Sequence, residues 1–257
     1  MIIDSHAHYD DARFDGDREE AIALARESGV DIIINAASDV ESSLRSVELA
    51  EKYDFFYALA GIHPHEAEKA DTYEEKTLSK IESIAKGSEK VVAIGEIGLD
   101  YHYDFSPREV QKKWFMLQME LASKLKMPVV IHSREAIADT MDIIRAFPDV
   151  YGVVHSFSGS VETLQELLKL GYYISLGGVV TFKNAKTVVE VAKACPSDRL
   201  LLETDCPYLS PEPHRGKRNG SHLMIHTAKR ISEIRGISLE KLLDDCAQNT
   251  KRIFQII

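Results

Sequence analysis

Histidine and carboxylate side chains recur directly after short apolar segments of the 257-residue chain. His6 and His8 form the first pair, two positions apart, after an apolar start at residues 1–3. Residues at i and i+2 of a strand share a face, so the two imidazoles would stand side by side. Because neutral imidazole is a common ligand of divalent metals, this spacing predicts half of a metal site. Two exposed histidines at a strand end would give the same pattern.

Residues of the same types close later apolar segments, and they predict a dinuclear centre. If the segments are parallel strands of a barrel, their carboxyl ends share one face and the side chains converge there. Six ligands exceed the three of a usual catalytic zinc site and suit two ions, with Glu96 as the bridge. The predicted ligands are His6, His8, Glu96, His132, His155 and Asp205. The alternative is a hydrogen-bonded polar layer, which the cost of burying unpartnered ionisable groups disfavours.

The elements that must position these residues alternate regularly. Apolar, often β-branched segments predict strands at 1–4, 30–36, 55–61, 91–95, 128–131, 151–154, 172–176 and 200–202. Amphipathic stretches predict helices near 18–28, 40–52, 74–86, 107–126, 135–146, 161–170, 184–194, 222–235 and 239–254. Ser106 precedes a proline and a capping-box glutamate, so it is the predicted N-cap of the long helix.

Eight strands alternating with helices over about 250 residues predict an α/β protein with the (β/α)8 TIM-barrel fold. An open doubly wound sheet is the rival, but no G-x-G-x-x-G follows the first strand. No low-complexity linker divides the chain, so a single domain over residues 1–257 is predicted.

The composition limits the binding partners and the cellular compartment that we expect. A net charge of −10 opposes broad coating of a nucleic-acid duplex, which needs many cationic contacts with phosphate. Three cysteines without a C-x-x-C pattern are typical of reduced thiols, so a cytoplasmic location is expected. No basic segment precedes an apolar one at the start, and no apolar run approaches the roughly 20 residues that cross a bilayer, so neither a secretory signal nor membrane association is expected.

The motifs taken together resemble the TatD family of metal-dependent hydrolases, a deoxyribonuclease family of the amidohydrolase-like barrels. They run from one end of the chain to the other: D-S-H-A-H (4–8), G-I-H-P-H (61–65), G-E-I-G-L-D-Y (95–101), V-I-H-S-R (130–134), H-S-F-S-G (155–159), E-T-D-C-P-Y-L (203–209) and R-G-K-R-N (215–219). The resemblance implies the ligands assigned above and divalent-metal hydrolysis of phosphodiester bonds, often from a 3′ end of single-stranded DNA. Asn219 is followed by Gly220 and Ser221, where the family usually continues Asn-Glu-Pro. Glu96 separates the chain from the many amidohydrolases that bridge their metals with a modified lysine.

Individual roles follow from position. Two ions can lower the pKa of a shared water, and Asp205 at the metal edge is the predicted general base, with Glu96 the other catalytic residue. Glu203, two positions before Asp205, would orient a ligand histidine or would simply be a buried polar residue; both interpretations are open. His63 would bind a substrate phosphate or support the metal ligands.

A basic segment lies in the loop after the eighth strand. Loops after the last two strands of this fold commonly bind phosphate, so Arg215 and Lys217 are predicted to bind substrate; an ordinary solvated loop is the alternative. Tyr101, Phe157 and Tyr208 also follow strand ends, where aromatics stack on bases or merely wall a pocket.

The predicted function is a metal-dependent phosphodiester hydrolase, a deoxyribonuclease acting 3′ to 5′ on single-stranded DNA ends or short single-stranded nucleic acid. Its predicted cofactors are two divalent cations per subunit, Zn, Mn or Mg. Four histidines favour Zn, Mn, Fe or Co, whereas the resemblance also points to Mg, which prefers oxygen ligands. A hydrolase of a small amide, lactone or ester and a non-catalytic metal-binding protein are the alternatives. The oligomeric state is left open.

Overall fold

The computed structural model describes residues 1–256. Eight parallel strands form one sheet in the order of the sequence and alternate with helices, which confirms the predicted (β/α)8 TIM barrel. Next to the last strand, a parallel bridge joins Ala7 to Cys206. The strands are β1 (Ile2–Ala7), β2 (Val30–Asn35), β3 (Phe56–Ala60), β4 (Val91–Asp100), β5 (Val129–Arg134), β6 (Gly152–Val154), β7 (Tyr173–Leu176) and β8 (Leu200–Leu202).

Within residues 1–256 the α-helices carry the apolar faces that cover the strands. They are α1 (Arg18–Glu27), α2 (Val40–Lys52), α3 (Ala67–Asp71), α4 (Glu74–Gly87), α5 (Arg108–Leu125), α6 (Ile137–Ala146), α7 (Val161–Lys169), α8 (Lys186–Ala194), α9 (Met224–Arg235) and α10 (Leu239–Phe254). Short α3 is the one without a predicted counterpart. Among these residues no helix combines the length and the apolarity that crossing a bilayer requires.

Three strands run further than their sequences predict. β1 continues to Ala7, β4 to Asp100 and β5 to Arg134, instead of ending at residues 4, 95 and 131. Residues 6, 96 and 132 therefore lie within strands, not in the loops beyond them. Because strand positions are fixed by ladder hydrogen bonds, side chains there are held more rigidly than loop side chains.

The predicted N-cap of the long helix is wrong. α5 begins at Arg108, and Pro107 takes the cap position without a side-chain hydrogen bond. The Ser106 hydroxyl instead donates to the carbonyl of His65 at 3.0 Å and accepts the backbone N–H of Glu68 at 3.0 Å. A long-range contact thus takes the hydroxyl that a local capping pattern would use.

The chain divides into two compact units. The first unit comprises Met1–Asn35, Ser156–Lys169 and the chain from Tyr173 onward; the second comprises Ala36–His155 and Leu170–Tyr172. The predicted single domain over residues 1–257 stays a prediction, and its last residue, Ile257, lies outside the described residues.

In the second unit, two glycines let neighbouring strands approach closely. A Cβ atom on Gly98 would lie 2.0 Å from the carbonyl oxygen of His132, and φ there is +132°, which disfavours any other residue. A Cβ on Gly61 would lie 2.8 Å from the backbone carbon of Gly95. These positions bring the backbones of the β3–β5 region together where polar side chains cluster.

Candidate metal centre

In the first unit, β1 and the loop after β8 bring three predicted ligands together. His6 Nε2 and His8 Nε2 lie 3.2 Å apart. Asp205 Oδ1 lies 3.3 Å from His8 Nε2 and 3.9 Å from His6 Nε2. We call His6, His8 and Asp205 the first cluster. Two imidazoles and one carboxylate at these distances have the composition of a divalent-metal site.

Backbone hydrogen bonds hold the first cluster. The N–H of Asp205 donates to the carbonyl of His6 at 2.9 Å, and the N–H of His8 donates to the carbonyl of Cys206 at 2.8 Å. Asp205 has φ +56°, a left-handed conformation that aspartate and asparagine tolerate better than other non-glycine residues. The turn after β8 therefore aims this carboxylate back at the end of β1.

Asp4 is a supporting residue that the sequence analysis did not single out. Its buried carboxylate accepts hydrogen bonds from Thr204 N at 2.9 Å, Thr204 Oγ1 at 2.6 Å and Ser221 Oγ at 2.6 Å. Burial raises the pKa of Asp4 to about 7, although these hydrogen bonds oppose the shift. The available signal was spacing, since Asp4 and His6 share a face of β1. Asp4 thus ties this strand to the segment that carries Asp205.

In the second unit, one carboxylate oxygen meets three imidazoles. Glu96 Oε1 lies 2.8 Å from His155 Nε2, 2.9 Å from His132 Nδ1 and 3.4 Å from His63 Nε2. Glu96 and His63 are buried, as is His155. We call His63, Glu96, His132 and His155 the second cluster. The ligand atoms of three of them lie within 4.8 Å of one another, those of His63, Glu96 and His132.

Asp100 supports the second cluster from outside it, and the sequence analysis missed this residue. Its Oδ2 accepts hydrogen bonds from His132 Nε2 at 3.1 Å and from His65 Nε2 at 2.9 Å. Burial alone would raise the pKa of Asp100, but the hydrogen bonds from these two rings and from the N–H of Tyr103 outweigh it and hold the pKa well below its usual range. An ionised carboxylate fixes the Nε2–H tautomer of His132, so Nδ1 is the nitrogen that faces Glu96. Asp100 lies four positions after Glu96 on the same strand, and that spacing was the available signal.

The pKa values of two histidines in the second cluster are shifted in opposite directions. Burial lowers the pKa of His63 to about 4, so its ring is neutral near pH 7. Burial would also lower the pKa of His132, but hydrogen bonds to Asp100 and Glu96 outweigh it and raise the pKa. The carboxylates of Asp100 and Glu96 thus favour the positively charged form of His132.

Glu203 is fully buried in the first unit. Its Oε1 accepts the backbone N–H of Ser156 at 2.8 Å, and its Oε2 accepts the hydroxyl of Ser175. Ser156 directly follows His155 in the chain, so Glu203 fixes the backbone next to that predicted ligand. Both of its predicted roles, orienting a histidine and satisfying a buried layer, stay open.

The basic loop contains three exposed cations, of which Arg218 forms an ion pair. Arg218 is paired with Asp17, at 2.7 Å and 2.5 Å, and also donates to the carbonyl of Arg13. Arg215 is exposed and its guanidinium lies 4.3 Å from the centre of the Phe182 ring. Lys217 is exposed, and within residues 1–256 its ammonium forms no ion pair. Arg215 and Lys217, the two predicted substrate-binding residues, therefore stay accessible.

These donors fit divalent metal ions. Each cluster combines carboxylate oxygens and imidazole nitrogens that lie 2.8 to 3.9 Å apart. Such a set is costly to bury without a cation between the donors, and nitrogen-rich ligands suit transition metals and zinc. A (β/α)8 barrel with imidazoles and carboxylates gathered at its strand ends is an architecture of metal-dependent hydrolases.

Comparison with known proteins defines the family within that class. The family model described as TatD related DNase matches residues 3–255, and the chain belongs to this family. The Bacillus subtilis (strain 168) metal-dependent hydrolase YabD is 43% identical over 258 residues, with complete coverage of both chains. The metal-dependent hydrolase YcfH of Escherichia coli (strain K12) is 35% identical, over 100% of this chain and 96% of its own.

Solved structures agree with the sequence relatives. The crystal structure of YjjV, a TatD homolog from Escherichia coli K12, matches with a TM-score of 0.92 at 32% identity and covers 100% of this chain and 98% of its own. A TatD-family hydrolase from Entamoeba histolytica matches with a TM-score of 0.88 at 25% identity, over 100% and 98% of the two chains. The TatD resemblance read from the motifs is therefore confirmed, as is its class of metal-dependent hydrolases.

Proposed function

We propose that the protein is a metal-dependent phosphodiester hydrolase, a deoxyribonuclease that removes nucleotides 3′ to 5′ from single-stranded DNA ends. The observation that carries the proposal is the convergence of three imidazoles on Glu96 Oε1 at 2.8 to 3.4 Å. Membership of the TatD related DNase family supports a nucleic-acid substrate.

The two clusters would together hold two ions. Because carboxyl ends of parallel barrel strands share one face, His6, His8 and Asp205 would serve one ion and His132 and His155 the other, with Glu96 as the bridge. When bound, the ions would supply Lewis acidity, activating water and stabilising charge on the phosphate. Zinc, manganese and magnesium are the candidate ions.

The protein's own groups have distinct tasks. The partly exposed carboxylate of Asp205 would accept a proton from the attacking water. Asp100 would keep the Nε2 proton of His132 in place. His63 is neutral, with a pKa of about 4, and its Nδ1 accepts the backbone N–H of His65, so its one proton is on Nε2 beside Glu96. From there it would donate to Glu96 or to a substrate oxygen bound next to it without adding charge to the site.

The exposed cations would select the substrate. Arg215 and Lys217 would bind phosphates beyond the reacting one, since basic loops at this face of the fold commonly do so. A net charge of −10 disfavours a long duplex, so a chain end or short strand is the better fit. The three cysteines are free and buried, which supports a reducing, cytoplasmic compartment.

The experiment uses metal-stripped protein and single-stranded DNA labelled at either end. Mg, Mn and Zn are added back separately, and the products are separated by length. We expect metal-dependent shortening from the 3′ end, lost in Asp205→Asn. Metal-dependent turnover of esters or lactones without any cleavage of DNA would favour the small-molecule hydrolase, and the absence of all turnover would favour a metal-binding protein.

A further inference from the structure

Two aromatic side chains stand exposed beside the second cluster. Tyr103 and Phe105, in the loop between β4 and α5, are 48% and 63% exposed. Their rings are stacked, with centroids 5.2 Å apart and planes at 20°. Asp104 between them has φ +50°, which turns the chain so that its neighbours lie on one side. Large apolar rings left together in solvent mark a binding surface more often than isolated exposed residues do.

The ring pair is connected to the predicted metal ligands by direct contacts. The Phe105 ring lies 4.8 Å, and the Tyr103 ring 5.5 Å, from the ring of His65. His65 donates to Asp100 Oδ2, which also accepts from His132. A nucleotide whose phosphate reached the second cluster would therefore carry its base, or the neighbouring base, to these rings.

A cation next to the rings matches a phosphate. Arg134 ends β5, two positions after His132, and its guanidinium lies 4.8 Å from the centre of the Tyr103 ring. Arg134 is exposed and forms no ion pair within residues 1–256. The adjacent acid, Glu135, is already paired with His102 at 2.7 Å. An aromatic face with a free guanidinium beside it presents the two chemistries that a nucleotide needs, stacking and charge.

We propose that Tyr103, Phe105 and Arg134 form a nucleotide subsite in which an unpaired base stacks on the ring pair and a phosphate contacts the guanidinium. The subsite rests on the proposed function and extends it, because it names the parts of the substrate that the protein binds, an unpaired base and a phosphate. It requires single-stranded nucleic acid, since the faces of bases within a duplex are covered. It tolerates any sequence, since every base offers a stacking face.

Other occupants fit the surface less well. A stable protein partner or a second copy of the chain would need on the order of 800 Å² on each side. Two rings bordered by charged groups, among them Arg134, Asp104 and Arg108, offer far less apolar area than that. The aromatics predicted from sequence are also poorer candidates. Phe157 is buried, and the Tyr101 hydroxyl donates to Asp139 at 2.6 Å. Tyr208 is exposed, but its ring face is covered by the Arg13 guanidinium at 3.8 Å.

The test is an abasic scan. Fluorescent single-stranded hexathymidylates with phosphorothioate linkages, each lacking one base, are titrated with the metal-loaded protein, and Kd is read by anisotropy. We expect one position, or two adjacent ones, where removing the base weakens binding about fivefold to a hundredfold. In Phe105→Ala and Tyr103→Ala this penalty falls below twofold. A scan that is flat in the parent, or equally steep in the variants, would overturn the subsite.

Matched variants separate the subsite from general damage. Tyr73→Ala removes another exposed aromatic of the second unit, 68% exposed, and should keep the parent's scan. Arg134→Gln should weaken every oligonucleotide by a similar factor and reduce the salt dependence by about one charge. A change of molecular mass in Phe105→Ala, measured by light scattering, would assign the rings to self-association instead and reject the proposal.

Cleavage of the unmodified hexathymidylate is measured in parallel. If removing a base at one position weakens binding but the unmodified DNA is not cleaved, the subsite is supported and the nuclease activity is rejected. If the DNA is cleaved but no position shows a binding penalty, the nuclease activity is supported and the subsite is rejected.

Discussion

The two clusters use the same kinds of residues but are held by different means. In the second, Glu96 and His132 project from strands and Asp100 fixes one of the rings. In the first, His6 also projects from a strand, but Asp205 lies in a left-handed turn beyond β8, held by backbone hydrogen bonds to β1. A carboxylate on a strand is preorganised, whereas a turn leaves its carboxylate more freedom. Under the proposed function this difference implies a division of labour between two carboxylates, in which Glu96 would fix metal and Asp205 would move a proton.

The most severe test of that division compares Glu96→Gln with Asp205→Asn. Glu96→Gln removes the oxygen charge that three histidines face, so we expect loss of the metal of the second cluster and at least a thousandfold loss of turnover. Asp205→Asn should reduce turnover by about 10² to 10⁴ while the second cluster still binds its ion. Bound metal is counted by elemental analysis beside kcat/KM. Equal metal loss in both variants would contradict the division.

Asn is the right replacement at position 205 because it also tolerates the left-handed conformation. Asp205→Ala would add backbone strain to the loss of charge. The difference in thermal stability between Asp205→Ala and Asp205→Asn would measure the cost of that strain.

A second prediction concerns the carboxylate that orients His132. In Asp100→Asn, His132 loses its charged partner, and we expect a 10- to 100-fold loss in metal affinity or activity. Metal affinity is measured by competition with a chromophoric chelator. Asp104→Asn is the matched control, since Asp104 is exposed, pairs with Arg108 and touches neither cluster. An unchanged affinity in Asp100→Asn would mean that packing alone holds the ring.

The third prediction separates the cations of the basic loop in the first unit. Lys217→Gln removes an exposed charge, so we expect KM for single-stranded DNA to rise about three- to tenfold and its salt dependence to flatten by about one charge. Arg218→Gln makes the same charge change at a residue already paired with Asp17. Its effect on the salt dependence should be smaller, with the change appearing in thermal stability. Identical salt slopes in the two variants would contradict the assignment.

The smallest expected effect comes from a partly exposed carboxylate of the second unit. Hydrogen bonds from Lys124 and Lys86 lower the pKa of Glu82 from 4.5 to about 2. A lowered pKa stabilises the folded state above the ordinary value, and that contribution is lost as pH falls through about 2. Glu82→Gln should therefore lower Tm by only about 1–2 °C near pH 7, and by less at low pH or high salt. A larger loss would show that this surface pair supports α4 and α5 more than its exposure suggests.

Sequence periodicity predicted what depends on local pattern. The i, i+2 spacing gave the neighbouring rings of His6 and His8, and the alternation of apolar and amphipathic segments gave the barrel. The grouping of Glu96 with His132 and His155 followed from parallel strands ending on one face. That these residues bind metal stays a prediction.

What the sequence did not reveal depends on contacts between distant segments. Gly95 and Gly98 interrupt the apolar run of β4, so the strand seemed to end before Asp100, whereas the close approach to His132 lets it continue. Arg218 forms an ion pair with Asp17, which lies 201 positions away in the chain, and no local sequence pattern indicates that pair. Ser106 followed a capping pattern, yet its hydroxyl is taken by the segment around His65.

The spacing of the ligands along the chain has a consequence for biosynthesis. All four members of the second cluster lie within residues 63–155, whereas the first cluster needs His6 and a residue 50 positions after His155. At about 5–20 residues per second, a ribosome would expose the last donor of the second cluster roughly 3–10 s before Asp205. Under the proposed function, a nascent chain would thus carry the donors proposed for one ion while Asp205 was still untranslated, so metallation would be able to begin before the proposed proton acceptor exists.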